Sequence, residues 1–340
     1  MITLENDHLM FRFPEVHEHA ECAIDFQRTL RIPDDEKKYS LPPGLGRFPL
    51  RHLDDYARKL PEGWLSRGGV IMPMHQAEAM WMSFNQRTLM RGEGYPCAVK
   101  VATGKVCAIT GEKWVNHLNV DPQDYLVLPE QPWLDGYCVE RGVIRQFVAM
   151  PLGEGYSVEE QITSVAEYGG IQITVYPMKA ERYEQLYNDR VKEFSIDLEM
   201  HASMMCCDSS IGMGLAPGGQ MKQEIYTDPY GLDVWDQRHS SRCFVTIANS
   251  SMWTKITEER PPTEPPTAKE YTAAGLPWFD YYGGDADTLA GMERFKNFVS
   301  IAKMGKKKDE TPLHENGSVE VERIISLRKP GTDQVREISC

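Results

Sequence analysis

Two histidines and a carboxylate occupy alternate positions in His17-Glu18-His19-Ala20-Glu21, so an extended backbone puts His17, His19 and Glu21 on one face. Two imidazoles and a carboxylate placed this way could hold zinc or non-haem iron with positions left open for substrate, which is the chemistry of a metal-dependent enzyme. The same alternation suits a solvated edge or loop, since H-x-H is short and no further ligand is identifiable. His75 and Glu78 are spaced i, i+3, which on a helix unites an imidazole and a carboxylate as a metal half-site or a general acid and base. The H-E-x-x-H spacing of zinc proteases is absent, and a hydrogen-bonded histidine at the border of the core is the competing account.

A third group is rich in sulfur: Met200, His201, Met204, Met205, Cys206, Cys207 and Met213. Thioether and thiolate ligands select copper(I) or zinc where they converge. Adjacent cysteines chelate less readily than a C-x-x-C pair, however, and methionine is an ordinary core filler. Two acidic-aromatic clusters complete the set. One contains Asp228, Tyr230 and Trp235; the other contains Trp278, Asp280, Tyr281 and Tyr282. Aromatic faces flanked by carboxylates suit sugars or cationic ligands, and equally suit a structural corner in which Tyr and Trp bury area with their polar tips satisfied. Asp280, Asp285 and Asp287 do not match a calcium-binding loop. Gly212 and Gly214 are not followed by the third glycine of G-x-G-x-x-G, and the P-loop and G-x-S-x-G signatures are missing.

The elements that must position these groups read mainly as strands. Cys22, Ile24, Phe26, Leu30 and Ile32 share one parity, interrupted by Arg28. Hairpins are expected through Thr103-Gly104 and Arg141-Gly142, and strands at 70–74, 171–175 and 243–248. Met74, Ala77, Met80, Trp81 and Phe84 recur at three- and four-residue spacing, which predicts an apolar helix. Capping boxes at Ser157/Glu160 and Thr267/Glu270 predict short helices, a charged helix is expected over 180–194, and Pro261-Pro262-Thr263-Glu264-Pro265-Pro266 reads as an extended connector.

The chain's 340 residues exceed the usual single-core ceiling of about 250–300. The expected division is a mainly β unit over 1–194, a Met/Cys- and Gly-rich connecting segment over 195–221, and an α+β unit over 222–340. The fold class expected is α+β, with mostly antiparallel sheet and short helices, in one intertwined body or two packed units. A net charge of −13 argues against nucleic acid, and the run Lys303, Lys306, Lys307, Lys308 passes straight into Asp309 and Glu310 as a solvated loop would. No signal-peptide pattern and no apolar stretch long enough for a membrane span is present, and the eight cysteines follow no scaffold spacing. A soluble cytosolic protein with reduced thiols is expected.

The stretches Gly68-Gly69-Val70-Ile71-Met72-Pro73-Met74 with Glu78-Ala79-Met80-Trp81, Leu128-Pro129-Glu130-Gln131-Pro132-Trp133-Leu134-Asp135-Gly136 and Gly275-Leu276-Pro277-Trp278-Phe279-Asp280-Tyr281-Tyr282 resemble segments of a family of predicted soluble proteins with no known activity. The resemblance spans most of the chain and implies no fold, ligand or functional residue. The leading expectation is therefore a non-catalytic module that presents its aromatic-acidic loops to a small molecule or protein partner. A metal-dependent enzyme built on His17, His19 and Glu21, completed by His75 or Glu78, is the alternative, and copper binding is the third.

Overall fold

Short runs with apolar residues at every second position bury nothing until they pair edge to edge, and that requirement organises the chain. A computed structural model describes residues 1–86, 94–190, 212–281 and 287–327. Its principal strands are β1 (Ile2–Glu5), β2 (His8–Arg12), β3 (Glu21–Thr29), β4 (Val70–Met74), β5 (Ala79–Asn85), β6 (Cys97–Thr103), β7 (Gly136–Glu140), β8 (Val143–Pro151), β9 (Ile171–Pro177), β10 (Met213–Lys222), β11 (Ser241–Asn249), β12 (Trp278–Tyr281) and β13 (Ile324–Leu327). Short helices cover them, among them α1 (Val158–Thr163), α2 (Ala180–Arg190), α3 (Ser250–Thr257), α4 (Ala268–Ala273) and α5 (Ile301–Lys307).

The larger sheet runs β1-β2-β3-β5-β8-β10 and ends on Lys38–Tyr39, while the smaller contains the path β6-β9-β11-β4. Most pairs are antiparallel, but β11 lies parallel to β4, β10 to Lys38–Tyr39, and β12 to β13. The fold is thus α+β and mostly sheet, with mixed sheets. Phe26, Met82 and Phe147 of the larger sheet share one buried cluster with Val101, Ile173 and Val245 of the smaller. On the larger sheet's other face, Val148, Met150 and Ala216 pack under Tyr156, Ile301 and Leu313. β8 is consequently buried along its whole length. Strands from both sides of 195–221 are joined in the sheets: β10, which contains Met213–Met221 of that segment, pairs with β8, and β11 sits between β9 and β4.

The helix expected over Met74 to Phe84 is instead β4, a turn and β5. Met80, Met82 and Phe84 are buried while Trp81, Ser83 and Asn85 are half-buried, which is a period of two. Ala77 takes a left-handed φ of 66°, which no α-helix accommodates, and its N–H donates to the Ala149 carbonyl of β8 at 2.7 Å. Both hairpins form, turning on Gly104 and Gly142 at positive φ. Both capping boxes are also present, starting α1 and α4.

One buried acid has no counter-charge. Asp135, just before β7, is held through its backbone by Gln223 and Phe147, while its Oδ2 has no hydrogen-bond partner among the described residues. Burial pushes this carboxyl up to about 7. Between pH ~4 and ~7 the unfolded chain has lost that proton and the folded one keeps it, so stability falls as pH rises, by up to about 4 kcal/mol in all. Asp135→Asn should flatten this slope and stabilise the protein at pH 8, as read by urea unfolding at pH 5 and pH 8. Equal pH slopes in the variant and the parent would show that Asp135 is not the group responsible.

Candidate functional site

The two halves of the expected H-x-H-x-E centre face different partners. His17 stacks on Tyr95 and meets Tyr183 edge-on at 5.4 and 5.0 Å between ring centroids, and its Nδ1 accepts the His19 N–H at 3.1 Å. Partial burial and the neighbouring His19 lower its pKa. Glu21, at the start of β3, accepts from Arg12 Nε at 3.1 Å. Among the described residues no group of three or more His, Cys, Asp or Glu is placed to hold a metal ion. The sulfur-rich segment from Met200 to Cys207 lies outside the described residues, and Met213 is buried in β10.

His75 and Glu78 do come together, in the turn between β4 and β5 rather than on a helix. Glu78 is fully buried, and its Oε1 accepts from Nε and Nη2 of Arg28, the former at 2.7 Å. Its Oε2 accepts the backbone N–H of His75 at 2.9 Å. Burial raises the pKa of Glu78 against the pull of Arg28. The His75 ring turns away from this carboxylate: Nε2 lies 2.8 Å from Ser250 Oγ at the start of α3 and 3.1 Å from the Pro262 carbonyl. A carbonyl only accepts, so Nε2 carries the proton and is not a base toward Ser250 in this arrangement. Burial and Arg28 bring the imidazole down to about 3, so it is neutral. The proline-rich segment closes the cluster, since Arg28 Nη2 also donates to the Thr263 carbonyl at 3.0 Å. Prolines lack N–H groups, so such a strap offers mainly acceptors, and it lies on a site that presents donors.

Asp228, Tyr230, Trp235, Trp278 and Asp280 of the acidic-aromatic clusters are each engaged by groups of the protein itself. Asp228 accepts from the Tyr125 hydroxyl at 2.6 Å, the Trp235 indole at 2.9 Å and the N–H groups of Tyr230 and Gly231 at 2.8 and 3.2 Å. Trp235 is buried, and the half-buried Tyr230 donates its hydroxyl to Glu130. Trp278 is wholly buried, its indole N–H donating to Thr272 Oγ1 at 3.1 Å. Asp280 pairs with Lys222 at 3.0 Å, Tyr281 lies in β12, and Tyr282 falls outside the described residues.

A cavity of about 380 Å³ that no motif marked opens on the outer face of the larger sheet. Its apolar wall is Met150, Tyr156, Ile301 and Leu313, and its polar rim includes Asp34, Asp35, Lys306, Glu310, His314 and Asn316. Asp34 fixes one side by accepting the Ala302 N–H of α5 at 2.8 Å and pairing with Arg145 at 3.4 Å. Tyr156 donates its hydroxyl to Glu310 across the opposite side. Behind Asn316 sits Arg31, buried, its Nη2 donating to Asn316 Oδ1. The basic run expected as a solvated loop instead lies in α5 and at its end, with Lys306 on the rim and Lys308 paired to Glu310 at 2.6 Å. A scan of protein-family models and searches of curated proteins and solved structures found no match to the chain.

Removing one member of the Arg28–Glu78 pair leaves a buried charge alone, which typically costs about 3–5 kcal/mol. Arg28→Ala should lose that much in chemical denaturation, whereas the double variant Arg28→Met, Glu78→Leu should recover most of it. A double variant as unstable as the single one would mean the pair is not what holds the turn.

Proposed function

We propose that the protein is a non-catalytic binder of small molecules and that its ligand occupies the cavity between the larger sheet and α5. The observation that carries this reading is a concave space of about 380 Å³ with an apolar wall and a few converging polar groups, the usual make-up of a small-molecule site. Binding at the aromatic-acidic loops has less support, because Trp278 is buried and Asp228 is saturated by its own loop. The metal-enzyme reading also has less support, because Glu21 is engaged by Arg12. Buried thiols at Cys22, Cys97, Cys107, Cys138 and Cys243 fit a reducing, cytosolic setting, and the net charge of −13 disfavours nucleic-acid partners. No helix of the described residues is long and apolar enough to cross a membrane.

Gly305 of α5 lines the cavity, and a Cβ built there meets only the Tyr156 hydroxyl, at 3.5 Å. Gly305→Leu should therefore fill the space while favouring the helix by up to about 1 kcal/mol. A thermal-shift screen of small amphipathic compounds is expected to give ligands that raise the melting temperature of the parent and not of Gly305→Leu. Ligands that shift both proteins equally bind elsewhere and would refute the assignment.

A further inference from the structure

Taking the cavity as the ligand site, we infer that its ligand is an organic carboxylate whose apolar body lies against Met150, Ile301 and Leu313 and whose head group reaches past the rim to Arg31, which stands behind Asn316 and does not itself line the cavity. The acids around the space are already engaged. Asp34 is held by Arg145 and the Ala302 N–H, Asp35 by the Tyr39 hydroxyl at 2.9 Å and by Ser318, and Glu310 by Tyr156 and Lys308. Arg31 differs. It is buried, yet among the described residues its Nε and Nη1 have no hydrogen-bond partner.

A buried guanidinium with idle donors is costly unless something takes them, and a carboxylate is the planar acceptor that matches it. Glu315 marks where that acceptor goes. Its Oε2 lies 3.8 Å from Arg31 Nη1, too far for a hydrogen bond, and has no hydrogen-bond partner of its own among the described residues. Glu315 belongs to a three-residue turn, His314–Asn316, and its side chain is partly exposed, so it can swing outward as a ligand carboxylate moves in. Asn316 meanwhile keeps Nη2. A single negative charge is favoured over a phosphate dianion because Asp34, Asp35 and Glu310 line the cavity and Glu315 stands beside Arg31.

This inference rests on the cavity reading, and the test separates the two. Octanoate, octanol and octylamine share a body and differ in charge. Calorimetry on the full chain should find octanoate bound at least tenfold tighter than octanol or octylamine. Arg31→Gln should reduce octanoate to the level of octanol and leave octanol unchanged, and Glu315→Gln should tighten octanoate severalfold by removing the competing charge. If octanol binds as tightly as octanoate, the cavity stands and the carboxylate assignment falls; if none of the three binds, both fall. Should Arg31→Gln not fold, the comparison of the three compounds on the parent protein decides the matter alone.

Discussion

A guanidinium in the otherwise apolar row Cys22, Ile24, Phe26 of β3 is the constraint around which much of this molecule is arranged. Arg28 shares its face of β3 with Cys22, Ile24 and Phe26, where an unanswered charge would be untenable. Glu78 answers it, but a carboxylate reaches that depth only if the chain reverses sharply between β4 and β5, which places Ala77 in a left-handed conformation. The second carboxylate oxygen then fixes the His75 backbone, the imidazole meets Ser250 at the junction of β11 and α3, and carbonyls of the proline strap meet Arg28 Nη2 and His75 Nε2. One ion pair thus couples a turn, a strand-to-helix junction and a segment without regular structure.

What was legible in the sequence is what local physics decides. Both capping boxes, both hairpins and the strand at β3 depend on neighbours within a few residues, and each forms, although β3 ends at Thr29 and is buried on both faces where its alternation predicts one. The run from Met74 to Phe84 departs from the helix its spacing predicts because its apolar residues satisfy a helical period and, from Ala79 onward, a period of two as well. Ala77 carries a positive φ without being glycine, and so leaves no mark. The visible clue was Arg28, an interruption that only a distant carboxylate could explain.

The candidate sites followed the same rule. Whether Asp228 offers its oxygens to a ligand depends on where its own loop sends N–H groups, and composition does not reveal that. The cavity is assembled from Asp34, Tyr156 and the stretch after Ile301, three regions with no common motif. Lys306, Lys308 and Glu310 read as a charged surface run because Tyr156 and Glu154, which meet Glu310 and Lys308, lie far away in sequence.

The parallel pairing of β4 with β11 has a consequence for biosynthesis. His75 and Ser250, which close that pair at one end, are 175 residues apart. At translation speeds of about 5–20 residues per second, β4 leaves the ribosome on the order of ten seconds before its neighbour exists. During that interval an apolar edge is open to other nascent chains, so the yield of native protein in a cell depends on what shields that edge while the polypeptide is still being made.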